Sequence, residues 1–158
     1  MSIERVREYL SRFGVEDRIM EFEASSATVE LAAQALGVEG QRIAKTLSFR
    51  AGEDIILVVT AGDAKIDNPK YKKFFGTKAK MLSADEAVSL VGHAVGGVCP
   101  FGVNEGVKVY LDESLKRFDT VFPACGSSHS AIRLTCDELE KYSGSIAWID
   151  VCKLPQND

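Results

Sequence analysis

The stretch Arg42-Ile-Ala-Lys-Thr-Leu-Ser-Phe-Arg50 decides the fold. Its residues alternate as a strand with two unlike faces does. Ala51-Gly-Glu-Asp54 turns the chain back into Ile55-Ile-Leu-Val-Val-Thr60, which is continuously apolar and reads as a buried central strand. Working outward, Ile3, Val6, Leu10 and Phe13 recur at helical spacing after Ser2, and Gly14 stops that helix. Arg18 to Glu23 is a short strand candidate. Val29, Ala32, Ala33 and Leu36 form a second helical face, closed by Gly37.

Beyond the hairpin, Ala64 to Lys80 is rich in lysine and expected to be helical in its first part, with a short strand over Ala79 to Leu82. Ser83-Ala-Asp-Glu86 and Thr135-Cys-Asp-Glu138 are capping boxes that open helices running to about Val91 and to Gly144. Val107 to Leu111, Val121 to Cys125, Ser130 to Leu134 and Ile146 to Val151 read as further strands. Strands follow strands as well as helices, so the sheet should be mixed, in one α/β domain over residues 1–158.

Composition bounds the function. The 158 residues are 46% apolar and 27% charged, which suits one globular domain and rules out a disordered or collagen-like chain. The net charge is −4, from 19 basic and 23 acidic residues, and argues against wrapping a duplex. The charge is uneven, however. Residues 64–80 hold Lys65, Lys70, Lys72, Lys73, Lys78 and Lys80 against Asp67, a local +5, leaving −9 for the rest. That segment is either a solvated face or a landing site for a nucleic-acid end. No apolar run approaches the 18 residues of a membrane span, and no signal peptide is visible, so a cytoplasmic protein is expected. Cys99, Cys125, Cys136 and Cys152 form no CxxC pair and have no zinc spacing with His93 or His129. Free thiols are expected, with no metal and no cofactor.

Three stretches are unusual for packing alone. Lys45 is a cation in a strand beside Ala44, either outward-facing or aimed at an anionic ligand. His93-Ala-Val-Gly-Gly-Val-Cys-Pro-Phe-Gly102 is a poor helix and a poor strand. Its amides could form an oxyanion or phosphate cradle, or it could be a structural turn. Ala124-Cys-Gly-Ser-Ser-His-Ser130 sets three hydroxyls and an imidazole between two strands, and could equally be a polar hairpin bonding its own backbone. No nucleophile elbow, Walker loop, dinucleotide fingerprint or metalloprotease helix occurs. Cys99 with His129 or His93 as base is a rival nucleophile.

Taken together, Arg42-Ile-Ala-Lys45-Thr-Leu-Ser-Phe, Val58-Val-Thr-Ala-Gly62-Asp63, Gly96-Gly-Val-Cys-Pro100-Phe-Gly and Ala124-Cys-Gly-Ser-Ser-His129 resemble the YbaK and prolyl-tRNA synthetase editing-domain family. The resemblance covers roughly residues 20 to 152. It implies a mixed, partly barrel-like sheet flanked by helices, and a trans-editing hydrolase that cleaves the ester of mischarged tRNA. tRNA(Pro) carrying a small amino acid such as alanine or cysteine is the expected substrate. Small side chains leak through synthetase pockets because one methylene is worth only about 1–3 kcal/mol. By position, Lys45 matches a lysine associated with the terminal phosphate. Gly96, Gly97 and Pro100 match a Gly-x-x-x-Pro loop that steadies the ester carbonyl, with the tRNA ribose assisting water. Thr46, Gly126, Ser127, Ser128 and His129 match substrate-binding positions. The implied partners are the acceptor end of mischarged tRNA and prolyl-tRNA synthetase. A non-catalytic module binding aminoacyl-tRNA or a small ligand is the alternative.

Overall fold

The computed structural model describes residues 2–155. The chain opens with α1 (Ser2–Ser11), which buries Val6 and Leu10, and after a 3-10 turn reaches β1 (Met20–Glu21). In α2 (Val29–Leu36) the Thr28 hydroxyl accepts from Leu31 N, a side-chain cap that satisfies one orphan amide. The hairpin of β2 (Ile43–Ala51) and β3 (Asp54–Ala61) stands where its alternation placed it, with Lys45 opposite Thr60. There follow β4 (Lys65–Ile66), α3 (Asn68–Phe75) and α4 (Ala84–Glu86), which runs on into a π turn at Ala87–Val91. The rest is β5 (Lys108–Asp112), β6 (Thr120–Pro123), β7 (Ser130–Ala131), β8 (Leu134–Thr135), α5 (Cys136–Ser143), β9 (Ala147–Ile149) and β10 (Cys152–Lys153). Both capping boxes form, at Ser83 with Glu86 and at Thr135 with Glu138.

Six strands make a curled half-barrel sheet in the order β8-β6-β2-β3-β5-β9. The pairs β2–β3 and β6–β8 are antiparallel, while β2–β6, β3–β5 and β5–β9 are parallel, so the sheet is mixed. Ile56 to Ala61 of β3 are all buried, as their unbroken apolar run requires. Val6, Leu10 and Leu139 join Leu57, Val59 and Leu111 in the main core. Each such buried side chain stabilises by about 1.5–3 kcal/mol. A smaller cluster of Ala32, Ile43 and Phe122 fastens α2 to the start of β2.

Several boundaries differ from the sequence reading, each because a partner intervenes. Arg18–Glu23 yields only Met20–Glu21 as strand, because only those two residues pair with β7. The lysine segment opens as strand, not helix. Lys65–Ile66 pairs with β10, and the helix begins later, where Asp67 caps it and Pro69 sits in its first turn. Ala79–Leu82 contributes a single bridge, Met81 to Phe49. Ser130–Leu134 splits in two: its first residues pair with β1, and the chain then crosses to β6 at Leu134. Ile146–Val151 also splits, because Val151 N donates to buried Asp112 Oδ1 at 3.0 Å instead of to a strand.

Candidate active site

A gap in the sheet builds the site. The ladder between β2 and β6 holds only Ile43–Phe122 and Ala44–Pro123. Past Pro123 the chain peels away from β2. Outer-edge bonds of β2 resume at Ser48, whose carbonyl accepts from Leu82 N at 3.1 Å, and at Arg50, whose N–H donates to Lys80 O at 2.9 Å. Backbone groups along a strand alternate in direction, so Thr46 shares the orientation of Ser48 and Arg50. Its N–H and C=O therefore face the gap. A cavity of about 320 Å³ fills that gap, walled by Lys45 and Thr46 on one side and by Ser26, Val95, Gly96 and Val98 on others.

Lys45 is half-buried, and its Nζ donates to Gly62 O at 3.3 Å. Burial pushes its pKa below the ordinary lysine value, against the pull of Asp63 and Glu30. Asp63 makes no ion pair with it; Arg117 holds both Asp63 oxygens, at 3.1 and 2.5 Å. Among the described residues Lys45 has no ion-pair partner. A cation in a half-dry cavity with no acid beside it favours an anionic ligand. The Thr46 hydroxyl is buried and has no partner among the described residues.

The glycine loop meets this wall from the opposite side. Gly97 N donates to Ala94 O at 3.0 Å, closing a turn in which Gly96 has φ +94°, a conformation that suits glycine. Gly96 borders the cavity; Gly97 lies behind it. A Cβ on Gly97 would come within 2.6 Å of Gly126 C and Ser127 N, so the two loops touch backbone to backbone. Pro100 is buried and away from the cavity wall.

The Cys99 rival fails on geometry. Cys99 is fully buried, and burial pushes its thiol up to about 12. The thiolate is the nucleophile, so this thiol stays inert. His93 Nε2 donates to Phe101 O at 2.7 Å, so the nitrogen 3.6 Å from the Cys99 sulfur carries a proton and cannot accept one. His129 is exposed, and its Nδ1 donates to Ala24 O at 3.1 Å.

The hairpin at residues 126–129 acts as a brace. Ser127 Oγ donates to Ser130 Oγ at 2.8 Å, Ser26 N donates to Ser128 O at 2.6 Å, and Phe22 N donates to His129 O at 2.8 Å. Gly126 packs on Ser2 and Val6 of α1. None of Gly126, Ser127, Ser128 and His129 lies on the cavity wall; Ala124 and Ser130 on either side do. What the brace positions is Ser26, a residue the sequence reading missed. Ser26 is buried, lines the cavity, and its hydroxyl has no partner among the described residues. Its only signal in the sequence is a serine shortly before the Thr28 cap.

All six lysines of residues 64–80 are exposed and none lines the cavity. Lys70 is engaged with Asp150 and Cys152 O, each at 3.0 Å. The ring of Tyr71 on α3 lies 5.2 Å from that of Phe49. Phe49 is on the Lys45 face of β2, four residues along, so α3 covers that face about 13 Å from Lys45. Lys80 leads directly into Met81, which stands at the cavity with 63% of its surface exposed. No helix among the described residues is long and apolar enough to cross a membrane.

Comparison with known proteins identifies the family and the fold. A family model for the aminoacyl-tRNA editing domain matches residues 23–142. The uncharacterized protein YwhH of Bacillus subtilis (strain 168) is 57% identical over 154 residues, covering 97% of this chain and 98% of that protein. The proline–tRNA ligase of Leuconostoc citreum (strain KM20) is 31% identical over 87 residues, 54% of this chain but only 15% of the ligase. A solved structure described as a proposed trans-editing enzyme for prolyl-tRNA synthetase superposes with a TM-score of 0.86 at 31% identity, covering 96% of this chain and 97% of that one.

Proposed function

We propose a function from one premise: the chain belongs to the aminoacyl-tRNA editing domain family. It is a trans-editing deacylase that hydrolyses the ester between a small non-cognate amino acid and the terminal adenosine of a tRNA, most simply tRNA(Pro). The observation that carries this reading is the open β2 edge, where Lys45, with no ion-pair partner among the described residues, and Thr46 share one cavity with the Gly96 loop.

The chemistry is ester hydrolysis by water. Water oxygen bonds to the carbonyl carbon, the bond to the ribose oxygen breaks, and the ribose oxygen leaves with a proton. The products are free amino acid and uncharged tRNA. Lys45 anchors the terminal phosphate as a fixed cation and abstracts no proton. The Gly97 amide is taken by Ala94 O, so carbonyl stabilisation falls to the amides of Gly96 and Val98, the loop residues at the cavity. Thr46 meets the aminoacyl group through its strand edge. Gly97, Pro100 and the 126–129 hairpin act by holding the loop in place. The neighbouring ribose hydroxyl orients the water, so no protein nucleophile is needed, which suits the inert Cys99. The lysines on and around α3 receive the acceptor stem through its phosphates.

The test is turnover. Catalytic amounts of protein are incubated with tRNA(Pro) charged with alanine, cysteine, serine or threonine. Many esters cleaved per protein molecule support the deacylase. Stoichiometric protection of the ester would instead establish a binding module.

A further inference from the structure

Several hydroxyls line the cavity: Thr28 caps α2 and Ser130 bonds Ser127, Ser48 stands on β2, and the Thr46 and Ser26 hydroxyls are buried with no partner among the described residues. Every aminoacyl-tRNA presents the same ammonium, carbonyl, ribose and phosphate. In the deacylase these are met by Thr46, the Gly96 loop and Lys45. Ser26 remains. It comes from a separate segment, is only 7% exposed, and lies on the cavity wall between the apolar Ala27 and the 126–129 brace. Its backbone is fixed by the 2.6 Å bond from Ser26 N to Ser128 O, yet its hydroxyl has no partner among the described residues. A buried hydroxyl left unpaired is costly, and one that is held by nothing turns about a single torsion at little cost. The walls around it are apolar, with Ala27, Val29, Ala32 and Phe122 at the same cavity.

We propose that Ser26 is a specificity-determining residue, and that its hydroxyl bonds the side chain of a small amino acid carrying a hydroxyl or thiol group. This rests on the deacylase reading for the identity of the ligand. Its logic is the asymmetry of polar recognition. A site built to hydrogen-bond a substrate group rejects the analogue lacking it, because its own polar group is then stranded. Seryl and threonyl esters satisfy Ser26 fully and cysteinyl esters more weakly; an alanyl ester leaves it unpaired.

The experiment uses ligands that cannot turn over, so that it is independent of catalysis. Adenosine carrying seryl or alanyl through a 3′-amide is titrated against the wild-type protein, Ser26→Ala and Ser26→Thr. The wild type should bind the seryl compound about tenfold more tightly than the alanyl one. Ser26→Ala should bring the two within about twofold by weakening the seryl compound alone, and Ser26→Thr should keep most of the preference. Equal weakening of both would place Ser26 on a part common to all substrates and overturn the proposal, as would no change in either. A thermal melt of each variant separates lost binding from lost fold. Absence of ester hydrolysis by the wild type would sink the deacylase reading while leaving this affinity ratio measurable.

Discussion

Two regions of this molecule hold reactive-looking side chains, and they differ in what surrounds them. At the Lys45 wall the sheet is open: β6 has left, Thr46 faces a cavity, and the ammonium has no acid partner among the described residues. At the Cys99–His93 pair, a sulfur and an imidazole nitrogen sit 3.6 Å apart, the spacing of a nucleophile and its base, but both are sealed in the core. Burial acts on both regions in opposite senses. It lowers the Lys45 pKa and raises the Cys99 thiol to about 12, in each case disfavouring the charged form. Lys45 is only half-buried and borders the cavity, whereas Cys99 is fully buried and held neutral. The difference teaches that side-chain identity and proximity do not make a site; access and an unmet charge do.

This contrast can be broken at several points. The largest effect belongs to Lys45. Lys45→Ala should lower kcat/KM for ester hydrolysis by about 100-fold, the scale of removing one partner from a desolvated charge pair. Lys45→Arg should recover part of it, and an unchanged rate would break the account of the open wall. Next is the packing of the two loops. Gly97→Ala should destabilise the fold by about 1–3 kcal/mol, because its Cβ meets the Gly126–Ser127 backbone, and the loss appears as a lower Tm. An unaltered melt would show that the two loops part more easily than their close approach implies.

A pH profile sharpens the same comparison. Lys45 is charged below its pKa, and that pKa lies under the ordinary 10.5. Affinity for adenosine 5′-phosphate should therefore fall as pH rises through a midpoint below 10.5, and Lys45→Arg should remove that step. A midpoint at or above 10.5 would mean that Lys45 is fully hydrated. The smallest effect is expected at the exposed cations of α3. Reversing Lys72 and Lys73 to glutamate should reduce the salt dependence of tRNA affinity by roughly 0.7 to 0.9 in log–log slope for each phosphate no longer neutralised. An unaltered slope would leave that face merely solvated.

Local features are legible from the chain alone. The β2–β3 hairpin follows from one alternating and one continuous apolar run, and both capping boxes form at the residues that spell them. The lysine at position 45 and the glycine at 96 stand out for their chemistry, and both border the cavity. What escapes depends on distant partners. That β6 stops pairing after Pro123 is set by where the chain next packs, and no short window of sequence records it. Ser26 escapes for the same reason, since its place on the wall is fixed by Ser128, far along the chain. The polarity of the 126–129 segment points toward a substrate. In the structure the Ser127 hydroxyl bonds Ser130 and His129 N, and the Ser128 and His129 carbonyls hold Ser26 and Phe22.

The most direct test of the central claim sets the two regions side by side. Multiple-turnover hydrolysis of one mischarged tRNA(Pro) is measured for the wild type, Lys45→Ala and Cys99→Ala under identical conditions. The account predicts that Cys99→Ala keeps its rate within about threefold, with a stability loss of about 1 kcal/mol from the vacated sulfur, while Lys45→Ala is nearly inactive. A dead cysteine variant beside an active lysine variant would contradict it.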